Sequence, residues 1–267
     1  MRPSETYFSF QTASGLLESV IRAFGSFVIL TIPDINKEYQ MNESLITTLL
    51  LSLKIAGMAT LLNFVFGTAA GFVLARGRFV GRGLLDTLLM LPMVLPPTVM
   101  GYYLLVVFGR NGTVGAWLKD NFGINLIFTW QGAVIAAAAV TFPLVFKPAR
   151  AAFEEVSPQL EQAARVLGLN EWAVFFRVSL PLAWRGILAG VLLAFARSLG
   201  EFGATLMIAG SIPGKTQTLS VAIYEAVQAG DDALANGLVV LVSAVCIAVL
   251  LSTGRLMRSR GERNHAV

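Results

Sequence analysis

The sequence predicts an all-α integral membrane protein, a bundle of five to six transmembrane helices with one hydrophilic loop of short helices. Three observations carry that prediction. Of 267 residues, 55% are apolar and only 13% charged, about half the charge of an ordinary soluble domain. Four stretches, Ile55 to Ala75, Thr87 to Gly109, Asn121 to Phe146 and Ala233 to Gly254, contain no Asp, Glu, Lys or Arg and reach the roughly 20 residues that a helix needs to cross a bilayer core. None shows the period-2 alternation of barrel strands, and a helix satisfies its backbone polar groups internally.

A fifth span, Gly186 to Gly210, is apolar but carries Arg197 and Glu201 near its middle. Orientation follows from where Lys and Arg collect, because cytoplasmic connections hold an excess of them. Arg76, Arg78 and Arg82 follow the first span, five basic residues lie between Lys147 and Arg185, and Arg255, Arg258, Arg260 and Arg263 end the chain. Those three segments are expected inside. The connections bearing Arg110 and Lys119, and Lys215 with Glu225, Asp231 and Asp232, are expected outside, with Lys54 snorkelling to the outer interface. Residues 1–43 form an N-terminal extension in which Gly15 to Ile32 is interrupted by Glu18 and Arg22; it reads as a weak sixth span or an interfacial helix. Residues 44–255 form the membrane domain and 256–267 a basic cytoplasmic tail.

Composition also excludes functions. The single cysteine, Cys246, closes no intramolecular disulfide, and the single histidine, His265, builds neither a clustered metal site nor the usual histidine-dependent triad. A net charge of +4 spread along the chain leaves no nucleic-acid footprint. No catalytic residue, metal site or cofactor is expected. Gly210 to Thr216, GSIPGKT, imitates a phosphate-binding P-loop but has three residues between its glycines where the motif has four, and it follows a membrane helix, not a strand. A Pro-Gly turn at the membrane surface is the simpler reading.

The hydrophilic segment 157–181 holds the strongest signal. Ser157-Pro158 starts a helix and Gly168 stops it; between them Leu160, Ala163, Ala164 and Leu167 make one apolar stripe at i, i+3, i+4 and i+7, with Glu161, Gln162 and Arg165 largely off it. Asn170 caps a second helix whose Trp172, Phe175 and Phe176 repeat the spacing, and Leu180-Pro181 is expected to end it. Periodicity alone leaves two readings open: helices lying on headgroups, or helices seated in a partner.

Residue identities favour the second. Gln162-Ala163-Ala164, three residues, Gly168, nine residues, then Val178-Ser179-Leu180-Pro181 resembles the EAA signature of ABC importer permeases, with Gln162 where the family usually has Glu, Glu161 one place earlier, and Val178 in place of Ile. The resemblance implies a type I permease-like bundle whose cytoplasmic helices, through Glu161, Gln162, Ala163, Ala164, Gly168, Trp172, Phe175, Phe176, Leu180 and Pro181, couple to a separate ATPase dimer that binds ATP and magnesium. It also implies a permease homodimer in the cell inner membrane and a periplasmic oxyanion-binding protein as partner.

Two further runs sharpen the family. Ala196 to Thr205 followed by Ile212 to Leu219, together with Leu91 to Gly101, are similar to the molybdate branch of these permeases, whose nearest relatives handle sulfate, thiosulfate and tungstate. The resemblance spans Ser44 to Arg255. Pro92, Pro96 and Pro97 lack amide donors, so the second span is expected to break or kink, either as a fixed bend or as a segment lining the translocation path. A charge at mid-bilayer costs on the order of 2.5–3.5 kcal/mol, so Arg197 and Glu201 should face protein or water and each other, as a structural bridge or as a gate. Lys215, Gln217 and Thr218 are exposed outer candidates for greeting the binding protein. An ion-coupled secondary transporter would also bury such charges but needs no aromatic loop; a membrane enzyme would need chemistry that the spans do not supply.

Overall fold

The structure, a computed structural model, describes residues 35–77 and 79–258. Among these the elements are α1 (Ile35–Arg76), α2 (Arg82–Val94), α3 (Pro97–Phe108), α4 (Thr113–Phe122), α5 (Trp130–Glu155), α6 (Pro158–Val166), α7 (Glu171–Val174), a π turn (Phe175–Ser179), α8 (Leu180–Leu199), α9 (Gly203–Ala209), α10 (Leu219–Gln228) and α11 (Asp232–Arg258). Four helical segments are long and apolar enough to cross a membrane, and a fifth if the bent α2 and α3 count as one span. The extra span or interfacial helix expected at Gly15 to Ile32 lies outside the described residues. The last helix runs to Arg258, past the boundary expected at 255.

Helix α5 is the axis. It packs along α1 and α8, and α9 and α2 join it at opposite ends. One core gathers Ile55 and Ala59 of α1, Ala133, Ala136, Ala137 and Val140 of α5, and Ala204 and Ile208 of α9. A second, at the other end of α5, gathers Ala149 and Phe153, Ala183 and Ile187 of α8, and Phe64 and Phe72 of α1. Alanine dominates the crossing because no hydrophobic effect separates helices from lipid tails; close backbone approach does the work. Gly186 and Gly190 extend that logic on α8. A Cβ at Gly186 would stand 2.6 Å from the Ala152 Cβ, and one at Gly190 2.7 Å from the Leu144 carbonyl oxygen, an oxygen that Pro148 cannot serve with an N–H.

Three polar side chains inside the bundle are tied to one another. Asn63 Nδ2 donates to the Thr141 hydroxyl at 2.9 Å and the Ala138 carbonyl at 3.0 Å, and Thr141 meets the Ser198 hydroxyl at 3.1 Å. One short network thereby joins α1, α5 and α8. The Lys54 ammonium sits 3.8 Å from the Trp130 ring centroid, a cation–π contact where α5 begins.

Several span boundaries differ from the sequence reading. The first candidate membrane segment is Leu45–Arg76, so Lys54 lies within it. The third starts at Trp130, not Asn121: Gly123 closes α4 in the left-handed region, and the Thr129 side chain accepts from the Gly132 amide to start α5. It then continues through Lys147 and Arg150, whose charges pair with Asp86 of α2. The fourth runs from Glu171 to Leu199 and stops there. Apolarity continues to Gly210, but the helix does not.

Gly190→Ala should destabilise the bundle by about 1–3 kcal/mol through overpacking against backbone, whereas Gly57→Ala, with open space at its Cβ, should be neutral or stabilising by up to about 1 kcal/mol. Thermal unfolding of both variants in one detergent checks the contrast.

Candidate functional site

Segment 157–181 is a hinged pair of helices fastened to the end of the bundle. Pro158 occupies the first turn of α6, while the Ser157 hydroxyl makes no cap and instead meets Gln159. Helix α6 ends with the Leu169 amide on the Ala164 carbonyl and the Gly168 amide on the Arg165 carbonyl, the paired closure that requires a left-handed residue. Gly168 supplies it at φ +85°. Asn170 then caps α7, its Oδ1 accepting from the Ala173 amide at 2.8 Å.

Helix α6 has the reverse of a water-facing surface. Leu160, Ala163, Val166 and Leu167 are exposed, Leu167 at 82%. The inward face is made by Ala164 and Glu161, the latter 4% exposed. Its Oε1 accepts from Arg76 Nη2 at 2.7 Å, from Arg76 Nε at 3.1 Å and from the Ser179 hydroxyl at 2.7 Å. Arg76 Nη2 also donates to the Val156 carbonyl at 3.0 Å. Glu161 therefore turns away from any partner and holds α6 to the end of α1, while Gln162, at the position of the signature's usual Glu, faces outward. On the surface Arg165 clasps Glu171 with Nε to Oε1 at 2.7 Å and Nη2 to Oε2 at 3.0 Å, bracing the corner across Gly168. That hydrogen bonding raises the Arg165 guanidinium above its ordinary value.

The three aromatic residues divide. Trp172 and Phe176 are 74% and 58% exposed and stack at 6.4 Å, 19° between planes. Phe175 does not share their face. Its ring packs edge-on to Phe72 at 4.7 Å and lies 6.0 Å from Phe153, so it fastens the loop to the second core. Nor does Leu180-Pro181 end the helix as the sequence suggested. A π turn, with the Leu180 amide on the Phe175 carbonyl, widens the backbone just ahead of a proline that lacks a donor, and α8 continues from it. The second helix of the loop thus runs without a break into α8.

The charged pair sits at a break, not in a helix interior. Helix α8 ends at Leu199; Gly200, Glu201 and Phe202 are irregular, and α9 begins at Gly203. Glu201 Oε1 accepts from the Ala204 amide at 3.1 Å, and Oε2 lies 2.9 Å from Arg197 Nη1. The carboxylate is 1% exposed and the guanidinium 40%. Glu201 so serves one of the first amides of α9, that of Ala204, while Arg197 neutralises it.

The proline triplet comes to the same place. Pro92 stays inside α2, but Leu95 and Pro96 turn the chain by 112° and Pro97 opens α3. Helix α3 then lies against α9: a Cβ on Gly203 would meet Pro97 at 3.1 Å, and one on Gly101 would meet the Met207 Cβ at 2.7 Å. Pro96, Pro97 and Glu201 therefore belong to one junction of two broken elements. Beyond it, Gly210 to Thr216 is a tight turn in which the buried Thr216 hydroxyl accepts from the Ile212 amide at 3.0 Å. Gly210 lies against Phe128, just before the start of α5, while segment 157–181 follows its end. Lys215 is exposed, Gln217 bonds Glu225, and Thr218, expected outside, is buried. Among the described residues no three His, Cys, Asp or Glu side chains gather as a metal site.

A bundle of broken spans with a pinned helix pair at one end is the architecture of a transport-system membrane subunit, and a family model described as "Binding-protein-dependent transport system inner membrane component" matches residues 65–260. The chain belongs to that family and is a multi-pass protein of the inner membrane. More particularly, it is 46% identical over 218 residues to the molybdenum transport system permease protein ModB of Escherichia coli K12, covering 80% of this chain and 95% of that one. A putative molybdenum permease of Bacillus subtilis, YvgM, is 44% identical over 76% of this chain and 90% of its own. The sulfate permease CysT of E. coli is 37% identical over 83% and 80%. Among solved structures, a bacterial alginate ABC transporter in complex with its periplasmic protein matches at TM-score 0.65 and 16% identity, covering 96% of each chain. The methionine transporter MetNI matches at 0.62 and 17%, covering 82% and 97%.

Arg197→Ala strands a buried carboxylate and should cost about 3–5 kcal/mol, more than the double change Arg197→Ala with Glu201→Gln, which leaves no charge behind. Thermal melts of the two variants decide the order.

Proposed function

We propose that the chain is the permease subunit of an ATP-driven molybdate importer, two copies forming the path and each offering segment 157–181 to a separate ATPase subunit. One observation carries this reading: on a loop locked to the bundle from inside, the outward face is apolar and aromatic, with Leu160, Val166, Leu167, Trp172 and Phe176 exposed together. Large apolar side chains held at a surface mark a binding site, and Trp is the residue most enriched where binding energy concentrates. A loop resting on lipid would not need the rigid fastening that Glu161 and Phe175 provide.

The ATPase dimer would bind ATP and magnesium and carry out the hydrolysis. Closure of the motor on α6 and α7 would move α8, since the π turn makes loop and span continuous. Helix α8 ends at Leu199, just before Glu201 and the corner formed by Pro96 and Pro97. Movement of α8 therefore reaches the junction of broken elements, the natural place for alternating access. A periplasmic binding protein would deliver the oxyanion at the far end, near Lys215. Arg197 is half exposed and already neutralised by Glu201, so it would greet a dianion weakly, as passage requires.

Molybdate is favoured over sulfate because the molybdenum permeases of E. coli and B. subtilis are more similar, at 46% and 44%, than the sulfate permease CysT at 37%. Sulfate, thiosulfate and tungstate remain the alternative cargo within this class. Expressed with the ATPase and binding protein, the double variant Trp172→Ala, Phe176→Ala should reach the membrane at normal yield yet lose ATPase co-purification and molybdate uptake at least tenfold. Phe175→Ala should instead lower the melting temperature. Normal complex assembly by the double variant would falsify the docking assignment.

A further inference from the structure

Glu161 lies in the loop proposed to receive the ATPase, yet its carboxylate is buried and spent on the chain's own residues. Resting on that docking reading, we propose that Arg76 and Glu161 are a force-bearing strut: positioning residues that carry displacement of α6 into α1, without themselves touching the ATPase.

Beside the chain's own link back to α5 and the packing of Phe175 on Phe72, two paths lead from the loop into the membrane. The first is covalent, through the π turn into α8. The second is this ion pair, which ties α6 to the last residue of α1 by two hydrogen bonds from one guanidinium, at 2.7 and 3.1 Å. The planar guanidinium makes the tie directional. Its reach widens on both sides. Arg76 also holds the Val156 carbonyl, immediately before α6, and Ser179 donates to the same Oε1 from the π turn. Glu161 thus joins α1, α6 and the root of α8 at one oxygen atom.

Among the described residues, no polar contact besides this pair links α6 to α1, and its loss leaves none. Arg165 does not replace it: that guanidinium stands 3.9 Å from Glu161 Oε2 and is engaged with Glu171. A push on α6 would then move α8 while α1 lagged, and the two helices flank the same α5. Breaking the strut should leave the ATPase bound and active but disengaged from the path.

The test uses the full complex of permease, ATPase and binding protein in liposomes, with radiolabelled molybdate as probe. Glu161→Gln keeps shape and the Ser179 contact but removes the charge; Arg76→Gln removes the other partner; the double variant removes both. Each should assemble with the ATPase normally and keep basal hydrolysis within twofold. Stimulation of hydrolysis by loaded binding protein, and molybdate moved per ATP consumed, should fall at least tenfold. The double variant should be no worse than either single one, because both remove the same tie. Arg76→Lys, which keeps charge but loses the fork, should be intermediate. Molybdate moved per ATP within twofold of the parent in both single variants would overturn the strut. Loss of assembly in Glu161→Gln, with a normal melting temperature, would also overturn it by making Glu161 an ATPase contact. Normal assembly of the Trp172→Ala, Phe176→Ala variant counts instead against the docking reading beneath it.

Discussion

A carboxylate that leaves water must find a cation and hydrogen-bond donors where it goes, and the two buried carboxylates at the functional positions of this chain fix the arrangement around them. The penalty for an unpaired buried charge is several kcal/mol, comparable with the whole stability of many domains. Glu161 meets it with Arg76 and Ser179, which forces α6 against the end of α1. Glu201 meets it with Arg197 and the Ala204 amide of α9, at the break between α8 and α9. One carboxylate fixes how the loop sits; the other lies where the span stops.

The orientation of the loop follows directly. With Glu161 and Ala164 drawn inward, the helical period puts Val166 on the opposite, outward side, and Leu160, Ala163 and Leu167 are exposed on the flanks. Phe175 falls into the Phe72 and Phe153 cluster, and its neighbour Phe176, about 100° further round the helix, is turned out beside Trp172. An arrangement that spends its polar side chains inward and its apolar ones outward is costly alone and sensible only with a partner. Affinity would reside in few side chains, because the rest of the outward face is alanine and polar groups.

Much of this was legible in the chain. Long charge-free runs placed the spans, Asn170 and Gly168 placed the helix pair, and a proline triplet placed the corner at Pro96. What stayed hidden has a common cause. Periodicity identifies an apolar face but not what covers it, and in a membrane protein lipid, protein and partner all accept apolar faces. Hence the stripe through Leu160 and Leu167 was readable but what it faces was not, whereas Phe175 and Phe176 looked alike and part company. Hydropathy also reads through a break: Gly200, Glu201 and Phe202 interrupt the helix while the apolar run continues to Gly210. The burial of Thr218 and the bond of Gln217 to Glu225 depend on the turn at Gly214, which composition alone does not locate. The spacing of Gly186 and Gly190, small residues one turn apart, was a readable sign of the tight α8 to α5 contact and went unused.

The central claim is that the apolar ridge of α6 and α7 meets a separate motor. A photo-crosslinking side chain placed at Leu167, exposed beside Gly168 on that ridge, tests it most directly in cells that also express the ATPase and binding protein. Irradiation should yield an adduct of permease and ATPase, and the same side chain at Lys215, beyond the opposite end of α5, should yield none with the ATPase. Adducts from Leu167 to lipid alone, or to the binding protein, would contradict the account.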